Sequence, residues 1–253
     1  MQPAPPAPRP ALWPLLVAYL CAFLFARGAS AAYIVVAALP EAKGGAVALA
    51  DAAARFALTA PGLLGSALID AVALLAVTLL AARLLRPRGA TTRSLLRVGP
   101  GRITVAGTAA AVVGMTGLSL ASGSVADLAG LGDKGVMASI AAALAGSSPG
   151  KIVLATLAIA VAPGVAEEAF FRGLFQTRLR TRLGRWPSIA LTALAFGVFH
   201  VDPVQGSVAF VAGLFLGWIV ERGGSTRTSM LAHAFNNAVF VLMASVASPG
   251  ERS

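Results

Sequence analysis

The sequence predicts an all-α fold, a polytopic membrane helix bundle of about seven transmembrane helices, and three observations carry that expectation. Hydrophobic residues make up 57% of the 253 residues and charged ones only 12%, about half the roughly 25% charge of an ordinary soluble domain. Mean hydropathy is +0.81, and apolar stretches approaching the ~20 residues of a membrane span recur along the chain. The net charge of +10 is gathered into a few loops rather than spread over a surface.

Residues 1–10 hold five prolines and one charge and read as a disordered tail. Residues 11–150 then form an N-terminal set of helices and loops. The first apolar segment begins at Ala11, is interrupted by Arg27 and Gly28, and continues to Leu39. Ala29-Ser30-Ala31 also resembles a small-residue cleavage site, but the weak positive region ahead of it favours an uncleaved span. The loop from Pro40 to Pro61 mixes Glu41, Lys43, Asp51 and Arg55. Gly62–Ala82 is the second span and Ile103–Ser122 the third. A Gly/Ser/Ala-rich connection follows, in which Val136–Ala145 fits a short interfacial helix.

Residues 151–247 form the region where the polar groups gather, and 248–253 a C-terminal tail. The fourth span is about Ile152–Phe175, the fifth Pro187–Val201, the sixth Ser207–Val220 and the seventh Met230–Val246. The last three are short against a full crossing, so their limits are soft. Gly213 and Gly217 form a G-x-x-x-G pattern that serves close helix packing.

The arginines assign the orientation. One cluster is Arg83, Arg86, Arg88, Arg93, Arg97 and Arg102; a second is Arg178, Arg180, Arg182 and Arg185; a third is Arg222 with Arg227. Strict alternation of seven spans puts all three on one side, which the positive-inside rule makes the cytoplasm, with the amino terminus inside. Nucleic acid is therefore not the partner these basic loops imply; the partner is the bilayer. The single cysteine, Cys21, excludes an internal disulfide.

Within the fourth span stand two adjacent acids, Glu167 and Glu168, where each ionised side chain costs at least about 2.5–3.5 kcal/mol. Glu168 and Arg172 are four residues apart, share a helix face and can pair. Glu167, rotated about 100° from Glu168, is left to face a cavity. The chain's two histidines, His200 and His233, also lie in apolar segments. Phe196 sits four residues before His200, and Asn237 four after His233, so each pair shares a face. Asn236 points elsewhere and reads as a helix–helix hydrogen bond.

A carboxylate in an apolar pocket is a general base for water, and His200 can orient that water or carry its proton. His233 and Asn237 can together stabilise an oxyanion. That set describes amide hydrolysis by activated water, with no serine or cysteine in a nucleophile setting. A rival chemistry is zinc held by Glu167, His200 and His233; without H-E-x-x-H the sequence favours neither metal nor cofactor. A proton-coupled transporter is a further alternative, but its inverted repeats are not seen.

These motifs resemble those of the CAAX-protease and bacteriocin-processing family of intramembrane glutamic endopeptidases, which includes type II prenyl endopeptidases. E-E-x-x-x-R falls on Glu167, Glu168 and Arg172, F-x-x-x-H on Phe196 and His200, and H-x-x-x-N on His233 and Asn237. The resemblance spans about Ile152 to Val246. It implies that Glu167 activates water with help from His200, and that His233 and Asn237 form the oxyanion hole. Glu168, Arg172 and Phe196 would support them, without a metal. It also implies a peptide or membrane-protein substrate and a site open to the cytoplasm, in a bacterial inner membrane. A non-proteolytic scaffold or immunity protein of the same family is the alternative.

Two expectations conflict in depth. From the cytoplasmic ends, Glu167 lies near 12 Å in but His200 about 20 Å. Tilt, a later start or a broken helix would reconcile them.

Overall fold

The computed structural model describes residues 11–246. The tails expected at 1–10 and 248–253 lie outside the described residues. Among those described there are helices and no strands, in keeping with the all-α membrane bundle expected from the sequence. Ten helices are used below: α1 Trp13–Ala38, α2 Ala46–Ala57, α3 Ala60–Leu85, α4 Thr92–Leu95 and α5 Val105–Leu128. Then follow α6 Gly135–Leu144, α7 Pro149–Leu179, α8 Arg185–Phe199, α9 Pro203–Gly223 and α10 Arg227–Val246.

Six of these (α1, α3, α5, α7, α9 and α10) are long and apolar enough to cross a membrane. The expected fifth span is α8, only 15 residues long and hence about 22 Å. Expected starts and stops are met by local chemistry. Thr59 and Thr104 cap α3 and α5 by accepting from Gly62 and Gly107 amides, satisfying donors that a helix leaves open at its first turn. Gly224 closes α9 in the left-handed conformation at φ 73, where a residue without a Cβ is unstrained. The short helix expected at Val136–Ala145 is α6, Gly135–Leu144.

One end of the bundle is tied together by the arginine loops. Glu221 at the end of α9 accepts from Arg97, Arg180 and the buried Gln176 at 3.0–3.1 Å. Backbone bonds Arg102–Gly223 and Thr226–Arg97 join the α4 region to the α9–α10 turn. At the opposite end Asp202 caps α9 through Gln205 and accepts from the Val136 amide of α6. All three basic clusters therefore lie at one end, as alternation requires.

The core on the α1 side is aromatic. Tyr19 stacks edge-on or tilted against Phe170, Phe171, Phe175 and Phe199, and its hydroxyl donates to the Ala195 carbonyl. The first apolar segment is thus one continuous helix built into the bundle, Arg27 included. Arg27 pairs with Asp70 of α3 at 2.8 Å, and Ser30 donates to the same carboxylate. Asp70 thus links α1 to α3, and its carboxylate also borders the cavity described below.

α8 and α9 form a tight antiparallel hairpin. A Cβ on Gly197 or on Gly206 would lie 2.7 Å from the other's carbonyl oxygen, and one on Gly213 would lie 3.0 Å from Ala193. Close backbone approach of this kind is what small residues permit between membrane helices. Val201 turns the chain at φ 66, a sterically costly value for a β-branched residue. The hairpin therefore ends at His200, at the tip of a half-length helix. The depth conflict is resolved on α7 instead: it runs on to Leu179, which puts Glu167 about 18 Å from the arginine end, close to the depth of His200.

Candidate active site

α7 carries the two acids, and it is not a regular helix. Thr156–Val161 and Ala169–Gln176 are π-helical, with Ala162–Glu168 in α form between them. Pro163 explains part of this: it has no N–H to return to the carbonyl of Ile159. Wide turns of this type recur at functional positions because they redirect side chains and free backbone groups. Asn237 of α10 meets the freed group, donating its Nδ2 to Ile159 O at 3.1 Å. Gly164 lets the two helices meet, since a Cβ there would come within 2.8 Å of Ala234.

Glu168 points into protein. Its Oε1 accepts from Arg172 Nη1 at 2.6 Å, and both side chains are 0% exposed. His233 Nδ1 lies 3.1 Å from the same Oε1; a carboxylate only accepts, so Nδ1 carries the proton. The ion pair expected from the i,i+4 spacing is present, and the carboxylate has a second task that spacing did not reveal. It fixes the ring of His233 and turns Nε2 toward Glu167, whose Oε2 is 3.8 Å away.

Glu167 lines a cavity of about 890 Å³ together with Phe196, His200, His233, Asn236 and Asn237. His200 donates from Nδ1 to the Phe196 carbonyl at 2.8 Å, since a carbonyl can only accept, which leaves Nε2 with its lone pair. Phe196 is the hub of the group. Its ring lies 4.8 Å from the His200 ring and 6.0 Å from that of His233, and Arg172 stacks on it at 4.3 Å. The guanidinium thus serves both an ion pair and a cation–π contact. Sequence spacing named these residues in three separate spans, and the fold brings all seven together.

Two polar groups behave differently from expectation. Asn236, expected to face a neighbouring helix, borders the cavity and donates to Asn237 Oδ1 at 3.3 Å. Asn237 spends one amide hydrogen on Ile159, keeping a second, because a carboxamide nitrogen has two. Among the described residues no three His, Cys, Asp or Glu side chains group closely enough to hold a metal ion.

The cavity runs from these residues toward the Asp202 end. Its walls are Leu63–Leu74 of α3, Met115–Asp127 of α5, Val204–Leu216 of α9 and His233–Ala244 of α10, and its rim includes Leu131, Lys134 and Asp202. No residue of the arginine-bearing connections 86–104, 180–184 or 224–226 contributes. The cavity and the arginine loops thus lie toward opposite ends of α3, α5, α9 and α10.

Fold and site together define an integral membrane protein with an acid–imidazole cluster sunk among its helices. Residues 149–239 match the family model described as Type II CAAX prenyl endopeptidase Rce1-like, the region in which the three motifs lie. No curated protein and no solved structure matches the chain.

Proposed function

We propose that the cavity is the active site of an intramembrane endopeptidase that cleaves a peptide bond with water activated by Glu167. The observation that carries this reading is the division of labour between the adjacent acids. Glu168 is consumed by Arg172 and His233, whereas Glu167 has no ion-pair partner nearer than 3.8 Å and borders open space. A structural pair needs one carboxylate; the second is free to take a proton.

Water bound between Glu167 and His200 Nε2 would lose its proton to the carboxylate as it attacks the scissile carbonyl. The spare amide hydrogen of Asn237 and His233, oriented by Glu168 and carrying a proton on both ring nitrogens, would hold the resulting oxyanion. Collapse of the tetrahedral intermediate then returns the proton to the departing amine. The substrate is a peptide or membrane-associated protein, and the membrane is a bacterial inner membrane with the arginine loops and amino terminus in the cytoplasm.

The test is cleavage of a quenched fluorescent peptide library by detergent-purified protein, wild type against Glu167→Gln, with and without a chelator. Turnover that disappears in the variant and survives chelation supports the reading. Loss on chelation moves the case to a metalloenzyme. No turnover from well-folded wild type favours a scaffold that uses the same cavity for binding.

A further inference from the structure

We infer that substrate reaches the cavity from the side of the membrane opposite the arginine loops, so that the bond cleaved belongs to an exported or membrane-anchored peptide segment on the extracytoplasmic face. The substrate class rests on the endopeptidase reading; the sidedness rests on geometry and loop charge.

Two independent sets of contacts fix the ends of the bundle. Glu221, Arg97, Arg180 and the bonds between the α4 region and the α9–α10 turn mark one end. The Asp202–Val136 bond and the Gly146–Ser245 bond mark the other. The floor of the cavity is Leu74, Leu216 and His233, all buried. Its rim residues Asp127, Leu131 and Lys134 are exposed. Floor to rim therefore points away from the arginines.

The charge distribution then assigns the sides. The arginine end carries twelve basic residues, the three clusters given above. The opposite end carries Lys43, Arg55, Lys134 and Lys151. An excess of this size in short loops sets the cytoplasmic side. The rim, with Asp127 and Asp202 beside one lysine, has the character of a translocated face.

The shape of the cavity also suits an incoming chain. α3 and α5 flank it without packing substantially on one another. The faces they turn to it, Ser66, Ala67 and Ala71 on one side and Thr116, Ser119 and Gly123 on the other, are small and partly polar. A segment of extended backbone needs hydrogen-bonding partners inside the bilayer, and these hydroxyls supply them beside water from the rim.

The experiment is cysteine labelling of the full chain, made on a Cys21→Ser background so that no other thiol reacts. Ser124→Cys and Leu131→Cys report on the rim, and Arg88→Cys on the arginine loops. Each is expressed in bacteria and exposed as spheroplasts to a membrane-impermeant maleimide, before and after permeabilisation. The expected result is rim labelling in intact spheroplasts and Arg88→Cys labelling only after permeabilisation. The reverse pattern overturns the inference. Two rim positions guard against one variant failing to accumulate. Because the readout needs no turnover, a catalytically silent protein that labels as expected removes the peptidase reading and leaves the sidedness standing.

Discussion

Asn237 donates to the carbonyl of Ile159, to which Pro163 four residues later can offer no N–H. A break in α7 is thereby repaired by a side chain from α10, and the repair ties together the two helices that carry Glu167 and His233. A buried carbonyl without a partner costs about 1–3 kcal/mol, so each half of the arrangement needs the other.

The first prediction concerns that coupling. Asn237→Leu is expected to lower stability by about 1–3 kcal/mol. In a Pro163→Ala background, where residue 163 regains an N–H, the same change costs measurably less. Thermal unfolding in detergent of the four proteins of this cycle gives the interaction energy. Equal losses in both backgrounds would show that the carbonyl is satisfied in another way.

The ion pair of Glu168 and Arg172 makes a second prediction. Arg172→Met leaves a buried carboxylate with His233 as its remaining partner, expected to cost about 3–5 kcal/mol. Adding Glu168→Gln to Arg172→Met removes that charge and recovers part of the loss. The yield of monodisperse protein and its melting temperature report both steps. If the double variant is no better than Arg172→Met alone, the loss comes from the packing of the guanidinium on Phe196 and not from the unpaired charge.

Glu167 gives the opposite behaviour. Its side chain is 16% exposed and its nearest charged neighbour is 3.8 Å away, so Glu167→Gln should change stability by less than about 0.5 kcal/mol, as is usual for substitutions outside packed or paired sites. Cleavage, in contrast, should fall by about 10²–10⁴-fold, the range for loss of a general base. A variant that melts far below wild type would instead make Glu167 structural.

The hairpin tip supplies the last. Gly206→Val would drive side-chain carbons into the Gly197 carbonyl, already 2.7 Å from the position of a Cβ. Overpacking of this kind costs about 1–3 kcal/mol and displaces the turn that holds His200. Turnover should drop by more than the melting temperature alone would account for, with kcat falling more than KM rises. A Val substitution at Gly28, where a Cβ meets nothing within 4 Å, is the control and should leave kcat unchanged.

Much of this protein is written in its sequence. Apolar lengths and arginine clusters suffice for a membrane bundle and for which loops share an end, because the bilayer imposes span length and loop charge one residue at a time. The i,i+4 spacings of Glu168 with Arg172, Phe196 with His200 and His233 with Asn237 likewise name the site, since helical periodicity is local. Other features come from contacts between distant segments. Glu168 orients His233 across 65 residues, Asn237 answers a carbonyl on α7, and α8 stops at His200 because Val201 and the Gly197–Gly206 approach reverse the chain there. The direction in which the cavity opens belongs to the same group. It depends on which halves of α3, α5, α9 and α10 stand apart, and no periodicity within one helix records its distance from another.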